Sequence, residues 1–298
     1  MPPKDSIANT LLVSVVLCTV CSLLVSGAAV ALKPFQDYNK RIDRQRNIIA
    51  ACGLVEDAAE LSSKEVEELY KSRITPMLVD LSTGDYVADP DPNFEPRKAA
   101  KDADQNVDIT GQFSIGLSKR EPKTWVYLVG PARSADEIKA AEEEAGEGNL
   151  PVFAPPAADD VEQVVFPIYG MGLWSTLYGY IAVDQDLRTV KGLTYYEHAE
   201  TPGLGGEVEN KTWKAKWIGK KIWEEDAAAE DENLKIGVVK GSPTGEQQKY
   251  MVDGLSGATI TSRGVDSMLK YWFSDEGFGP FIKNLASKKG NADGEANS

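Results

Sequence analysis

From Ile7 to Leu32 the chain carries no charged side chain and is dominated by Leu, Val and Ala. A helix needs about 20 mainly apolar residues to cross the hydrocarbon core of a bilayer, so this run is long enough with some tilt. Two other readings compete with a membrane span. A cleaved signal peptide would use Ala29-Val30-Ala31 as its cleavage site. Its apolar region is normally only about 7–15 residues, behind a basic n-region, whereas here Lys4 is offset by Asp5. A buried core helix of this length without a polar face is the second reading, and apolar faces all round are rare in soluble helices. The run reads as an uncleaved, single-span anchor, and membrane lipid is its partner.

The anchor divides the chain into a short tail (1–6), the span (7–32) and everything after it. The N-terminal flank holds one basic residue, Lys4, while the C-terminal flank holds Lys33, Lys40, Arg41, Arg44 and Arg46. Counted near the span, these charges point the large body toward the cytoplasm, although long domains translocate largely regardless of flank charge. The chain has 298 residues, ample for one large domain or two modest ones. Its 32 Lys+Arg stand against 46 Asp+Glu, a net charge of −14, which argues against a nucleic-acid surface. Cys18 and Cys21 lie within the span and Cys52 just beyond it, so the body carries no disulfide framework. A pair of thiols with no histidine nearby does not complete a metal site, and no metal ligands are assigned.

Residues 33–54 read as a basic helical stalk, and Ser63 to Arg73 as a short helix capped by Ser62 or Ser63. Residues 55–284 then form an α+β domain with an antiparallel sheet and flanking helices. Ile74–Leu81, Ile109–Leu117 and Trp125–Val129 read as strands, with a surface loop or short helix between Pro90 and Asp108. Residues 134–160 are an acidic, alanine-rich helix running into a proline loop, a solvated insertion without chemistry of its own. Val164–Trp174, Leu177–Val183 and Val190–Tyr196 suggest an antiparallel meander with turns at Gly170, Gly172 and Asp184-Gln185-Asp186. Trp213–Trp223 reads as a helix followed by a short strand, and Ile236–Gly241 as another strand. Residues 285–298 read as a polar C-terminal tail.

The chemistry converges on Asp253-Gly254-Leu255-Ser256-Gly257-Ala258-Thr259-Ile260-Thr261-Ser262. Behind it Val265, Met268, Leu269, Trp272 and Phe273 fall at the spacing of one helix face, so a small-residue loop opens into an amphipathic helix. Thr261 or Ser262 can cap that helix, and its N-terminus suits a phosphate. A capped turn without a ligand satisfies the same pattern. Other classes are excluded: His198 is the only histidine and has no serine elbow near it, no Walker-type loop occurs, and no cysteine cluster exists in the body. No side chain is assigned as catalytic. What remains is three loops rich in glycine and aromatic residues, around Gly170–Trp174, Glu200–Gly206 and Asp253–Thr259. Meeting at one end of a sheet, they would hold a flat ligand bearing a phosphate.

Asp253 followed by Ser256-Gly257-Ala258-Thr259 matches the motif in which FMN is joined to threonine through a phosphoester. Longer runs extend the match along the chain: Val20-Cys21-Ser22, Asp43-Arg44-Gln45, Val79-Asp80-Leu81-Ser82-Thr83-Gly84 and Arg97-Lys98-Ala99-Ala100-Lys101-Asp102. Gly172-Leu173-Trp174-Ser175, Glu200-Thr201-Pro202-Gly203-Leu204-Gly205-Gly206-Glu207-Val208-Glu209-Asn210 and Gly277-Phe278-Gly279-Pro280-Phe281 complete it. With these runs the chain resembles the C subunits of sodium-translocating NADH:quinone oxidoreductases. The acidic stretch 134–160 lies outside the resemblance.

The resemblance implies covalent FMN on Thr259, attached by a separate flavin transferase, with Ser256, Gly257 and Ala258 forming the attachment loop. It sets Gly172, Trp174, Thr201 and Leu204 beside the flavin, with Thr201 and Leu204 near the isoalloxazine; Thr261 is the alternative acceptor. It also implies an electron carrier, with no NADH or sodium site of its own, among the other subunits of a complex. That complex oxidises NADH, reduces ubiquinone and exports sodium across a bacterial inner membrane. The family's body lies on the periplasmic face, and this is the expectation adopted over the flank charges. The equivalent subunit of the related ferredoxin:NAD oxidoreductase, or an anchored binding module without a redox role, are the alternatives.

Overall fold

The computed structural model describes residues 6–146, 151–224 and 229–295. It consists of two units, Met1–Gln45 and Arg46–Ser298, described separately below. The expected tail before Ser6, part of the acidic stretch (147–150) and the last three residues lie outside the described residues.

The first unit is helical. Helix α1 (Ile7–Cys52) runs unbroken through the expected span and stalk, and its last residues belong to the second unit. It is the one described helix long and apolar enough to cross a membrane, and its most apolar window is entirely exposed. Leu11, Leu17, Leu23 and Val30 face outward, an arrangement stable only when lipid or another protein replaces water.

The second unit is α+β. Its first half comprises α2 (Ser63–Arg73), β1 (Ile74–Asp80), α3 (Pro96–Ala99), β2 (Val107–Asp108), β3 (Lys119–Arg120), β4 (Lys123–Val129) and α4 (Ala135–Ala145). Three long strands follow, β5 (Gln163–Met171), β6 (Thr176–Asp184) and β7 (Val190–Glu197). The chain ends through α5 (Lys211–Ala215), β8 (Gly237–Val239), β9 (Met251–Asp253), α6 (Thr259–Phe273) and α7 (Gly279–Glu295). Strands β1, β4, β5, β6 and β7 form one antiparallel sheet in that order, and β8 pairs with β9 in parallel.

Sheet register decides which side chains share a face. Phe166 pairs with Ile181 and Ile181 with Leu193, so all three point to the same side, where the core lies. Helix α6 covers that side with Val265, Met268, Leu269, Trp272 and Phe273, the positions its periodicity predicts, all at most 1% exposed. Phe166 is the hub, its ring 4.6 Å from Phe278 and 5.8 Å from Phe273. On the opposite side of the sheet the end of α1 approaches β7, where Thr194 Oγ1 donates to the Asn47 carbonyl at 3.4 Å. Ser62 caps α2 in a full capping box with Glu65.

Several local readings are corrected. Ile109–Leu117 is a loop between the short pair β2 and β3. Its glycines break the ladder, and Ile115 turns inward to accept a bond from Met171 N–H at 2.8 Å. Gly170 sits inside β5, so the chain reverses only at Gly172–Ser175, closed by Gly172 N–H to the Ser175 carbonyl at 2.8 Å. The helix expected from Trp213 shortens to α5 because Trp217 and Trp223 both turn into the core. The expected tail after Asn284 continues instead as α7: Phe281, Ile282 and Leu285 are buried on one face, and Lys289 Nζ reaches the Val161 carbonyl at 3.0 Å.

Helix α6 meets the end of β5 so closely that a Cβ at Gly264 would lie 2.2 Å from the Met171 carbonyl oxygen. Helix propensity alone favours Gly264→Ala by about 1 kcal/mol. Overpacking costs about 1–3 kcal/mol and outweighs it. The variant is therefore expected to lower the thermal midpoint, and a raised midpoint would contradict this packing.

Candidate functional site

The site forms where α6 begins. Strand β9 delivers the chain to Asp253, whose carboxylate holds Lys216 Nζ at 2.8 Å and whose carbonyl accepts from Trp213 Nε1 at 2.9 Å. A tight turn follows: Ala258 N–H donates to the Leu255 carbonyl at 3.1 Å, with Gly257 at φ +72°. That left-handed conformation favours glycine. Ala258 then occupies the N-cap position without a capping side chain.

The expected caps do other work. Ser262 Oγ accepts from Leu255 N–H at 2.9 Å and donates to the Ala258 carbonyl at 2.9 Å, binding the turn to the helix behind it. Thr261 is 1% exposed, and its hydroxyl donates to Glu200 Oε2 at 2.6 Å. Burial of the first turn's inner face thus commits Ser262 to the turn before the helix and Thr261 to Glu200, 61 positions away. Thr259, on the opposite side of the first turn, is exposed.

Glu200 gathers the three loops. Its Oε1 accepts backbone N–H bonds from Leu173 (3.0 Å), Trp174 (2.9 Å) and Ser175 (3.3 Å), while its Oε2 takes Thr261. The residue is 5% exposed. Burial pushes its carboxyl pKa up, but the bonds from Thr261 and the three N–H groups prevail and hold it below the ordinary range. The carboxylate therefore stays ionised as a fixed acceptor. The approach is tight enough to demand glycine on both sides. A Cβ at Gly172 would lie 2.5 Å from Glu200 Oε1, and one at Gly205 would lie 2.5 Å from Oε2.

Around this buried clamp the surface is apolar. Trp174 is 67% exposed, Ile260 54%, Leu173 44% and Leu204 44%. Trp174 Nε1 donates to Thr201 Oγ1 at 3.2 Å, which fixes the indole beside the Glu200 loop. Leu204 lies against the turn, its Cδ2 2.9 Å from where a Cβ on Gly257 would stand. The structure thus brings Gly172, Trp174, Thr201 and Leu204 together with Ser256, Gly257, Ala258 and Thr259. Glu200, Leu173 and Ile260 were missed as site residues. Glu200 stood in a quoted run, but nothing local marks a carboxylate whose partners lie some 25 and 61 positions away.

Exposed aromatic and aliphatic side chains beside an exposed hydroxyl suit a flat ring tethered through a phosphate, because the ring would cover surface that water solvates poorly. FMN has that form, and these residues fit it. His198 belongs to the scaffold, with Nδ1 accepting from Glu200 N–H at 3.2 Å and Nε2 3.1 Å from Glu209 Oε1.

Removing the clamp takes the shared acceptor from three part-buried backbone N–H groups and the buried Thr261 hydroxyl, and bonds to a charged group are worth about 1.5–3 kcal/mol each. Glu200→Ala is expected to destabilise the second unit by at least about 2 kcal/mol in urea titrations. Because the folded carboxyl titrates below its unfolded value of about 4.3, the ionised group stabilises above that pH. The stability advantage over Glu200→Gln should be flat at neutral pH and shrink as pH falls below about 4. An advantage that grew on acidification would contradict the assignment.

Comparison with known proteins agrees with this geometry. The model of the FMN-binding domain family matches residues 172–274, which include the Gly172–Ser175 reversal and the other two loops. The C subunit of the Na(+)-translocating NADH-quinone reductase of Pseudomonas aeruginosa is 41% identical over 296 residues, 98% of this chain and 100% of that protein. Its counterpart from Yersinia pestis is 38% identical over 283 residues, 95% of this chain and 94% of that one. The crystal structure of Shewanella oneidensis NqrC superposes with a TM-score of 0.64 at 30% identity, covering 84% of this chain and 99% of that one. The chain belongs to the family of C subunits of the Na(+)-translocating NADH-quinone reductase.

Proposed function

We propose that the chain is a membrane-anchored electron carrier whose FMN is held by a phosphoester to Thr259, made by a separate flavin transferase. One contrast carries this reading: of the two threonines in the first turn of α6, Thr259 is exposed while Thr261 is buried with its hydroxyl committed to Glu200. A transferase can reach the Thr259 oxygen from solvent, and Gly257 and Ala258 keep the approach clear of large side chains. The esterified phosphate retains one negative charge, which the helix N-terminus favours by about 0.3–1 kcal/mol.

FMN, when bound, takes up and passes on one or two electrons, while the protein sets its position and surroundings. Trp174, Leu173, Leu204 and Ile260 offer the apolar surface for the ring. Glu200 keeps the loops that carry Trp174 and Leu204 in register with Thr259. In the complex, electrons arrive from an iron–sulfur centre in neighbouring subunits and leave to another covalent FMN. The assembly couples NADH oxidation and ubiquinone reduction to sodium export. The first unit anchors the chain in a bacterial inner membrane, with the second unit on the periplasmic side.

Two measurements test these statements. Intact-mass analysis after co-production with a flavin transferase should find one FMN on the wild type and none on Thr259→Ala. A Thr259→Ala chain that still carries the adduct would move the acceptor to Thr261. Fusions at the C-terminus should give periplasmic reporter activity only, and cytoplasmic activity alone would reverse the orientation.

A further inference from the structure

We infer that Arg263 is a positioning residue for the flavin phosphate. Its guanidinium pairs with the phosphodiester on Thr259 and limits the swing of the cofactor about its tether. The inference rests on Thr259 as the attachment site and adds a residue to which neither the motif nor the family model assigns a role.

Arg263 lies four positions after Thr259 on α6, and both are exposed. Residues at that spacing share a helix face, with Cβ atoms about 5–6 Å apart. Helical side chains lean toward the N-terminus and cover the turn before their own Cα. A long side chain at 263 is therefore aimed at the turn that carries Thr259. Gly264 faces Met171 and Val265 enters the core, so the neighbouring positions are turned elsewhere.

Arg263 is also uncommitted. Among the described residues no hydrogen bond, ion pair or ring contact involves it. The nearby carboxylates are taken. Asp266, the natural partner one turn on, accepts from Val238 N–H at 2.9 Å and from Lys270 Nζ at 2.8 Å. Asp253 holds Lys216, and Glu200 is filled by Thr261 and three N–H groups. The first turn of α6 itself contains no acidic residue. In a chain of net charge −14, a free arginine beside an exposed threonine supplies local positive potential for an anion.

The chemistry of the pair follows from the linkage. A phosphodiester keeps one negative charge and two non-bridging oxygens. The planar guanidinium meets two such oxygens with parallel N–H bonds, which a lysine ammonium does not reproduce. Holding the phosphate from one side limits rotation about the threonine and ribityl bonds. The ring is then presented to Trp174 and Leu204 in one orientation.

The test uses the full chain, flavinylated by co-production, as wild type and as Arg263→Lys, Arg263→Gln and Arg263→Glu. Intact mass and peptide mapping first establish the adduct on Thr259 in each. The readouts are the 31P resonance of the phosphodiester and the time-resolved fluorescence anisotropy of the attached flavin. Wild type should show little fast depolarisation at low salt. Arg263→Gln should raise its amplitude roughly twofold or more and shift the 31P signal, with Arg263→Lys intermediate and Arg263→Glu largest. High salt should move wild type toward Arg263→Gln, because an exposed pair is screened. Unchanged anisotropy and 31P shift in Arg263→Gln would overturn the role of Arg263 while leaving Thr259 intact. A wild type without the adduct on Thr259 would remove the reading beneath it as well. Should Arg263→Glu not fold, the neutral Arg263→Gln decides the matter.

Discussion

The Glu200 carboxylate is the contact on which the rest of the site depends. It reaches the β5–β6 turn through three backbone N–H groups and the first turn of α6 through Thr261. A buried charge is costly unless nearly every acceptor position is filled, and here the acceptors are filled by donors from two other segments. The cost of leaving the carboxylate unpaired is what holds the three segments in register. Gly172 and Gly205 follow from the same requirement, since any side chain at either position would enter the space the carboxylate occupies.

The packing beneath the site provides the rigidity such a clamp needs. Helix α6 lies against β5 over a core of aromatic rings centred on Phe166, and Trp272 Nε1 ties the helix to the Tyr169 carbonyl at 2.8 Å. One end of that helix is therefore fixed by dense burial, and its first turn presents Thr259 at a defined place. The surface above is the reverse of the core: Trp174, Leu173, Leu204 and Ile260 stay exposed. Exposed large apolar groups scattered singly are ordinary in proteins, but a cluster around one hydroxyl marks a binding surface.

Much of this was legible in the chain. The spacing of Val265, Met268, Leu269, Trp272 and Phe273 announced the buried face of α6, and Ser62 with Glu65 announced the cap of α2, because both signals are local. The three loops were picked out by their glycines and aromatics. What was not legible depended on distant partners. Thr261 read as a cap because capping is the local use of a hydroxyl at a helix start, and its true partner is 61 positions away. Ile109–Leu117 alternates like a strand, yet its apolar residues line a loop that closes the end of β5. The residues after Asn284 read as a tail because they are mostly polar: Phe281 and Ile282, which help to fix α7, precede them, and Leu285 stands at their very start. The long apolar helix was plain from composition, whereas the proposed orientation rests on the resemblance, against the flank charges.

These elements converge on one claim: the loops joined by Glu200 form the seat of an FMN tethered to Thr259. Its most direct test is tandem mass spectrometry of the flavin-bearing peptide from the purified full chain. The account predicts that fragmentation localises the FMN phosphate to Thr259 alone within Asp253–Ser262. Localisation to Thr261 or Ser256, or a peptide free of flavin after co-production with the transferase, would contradict it.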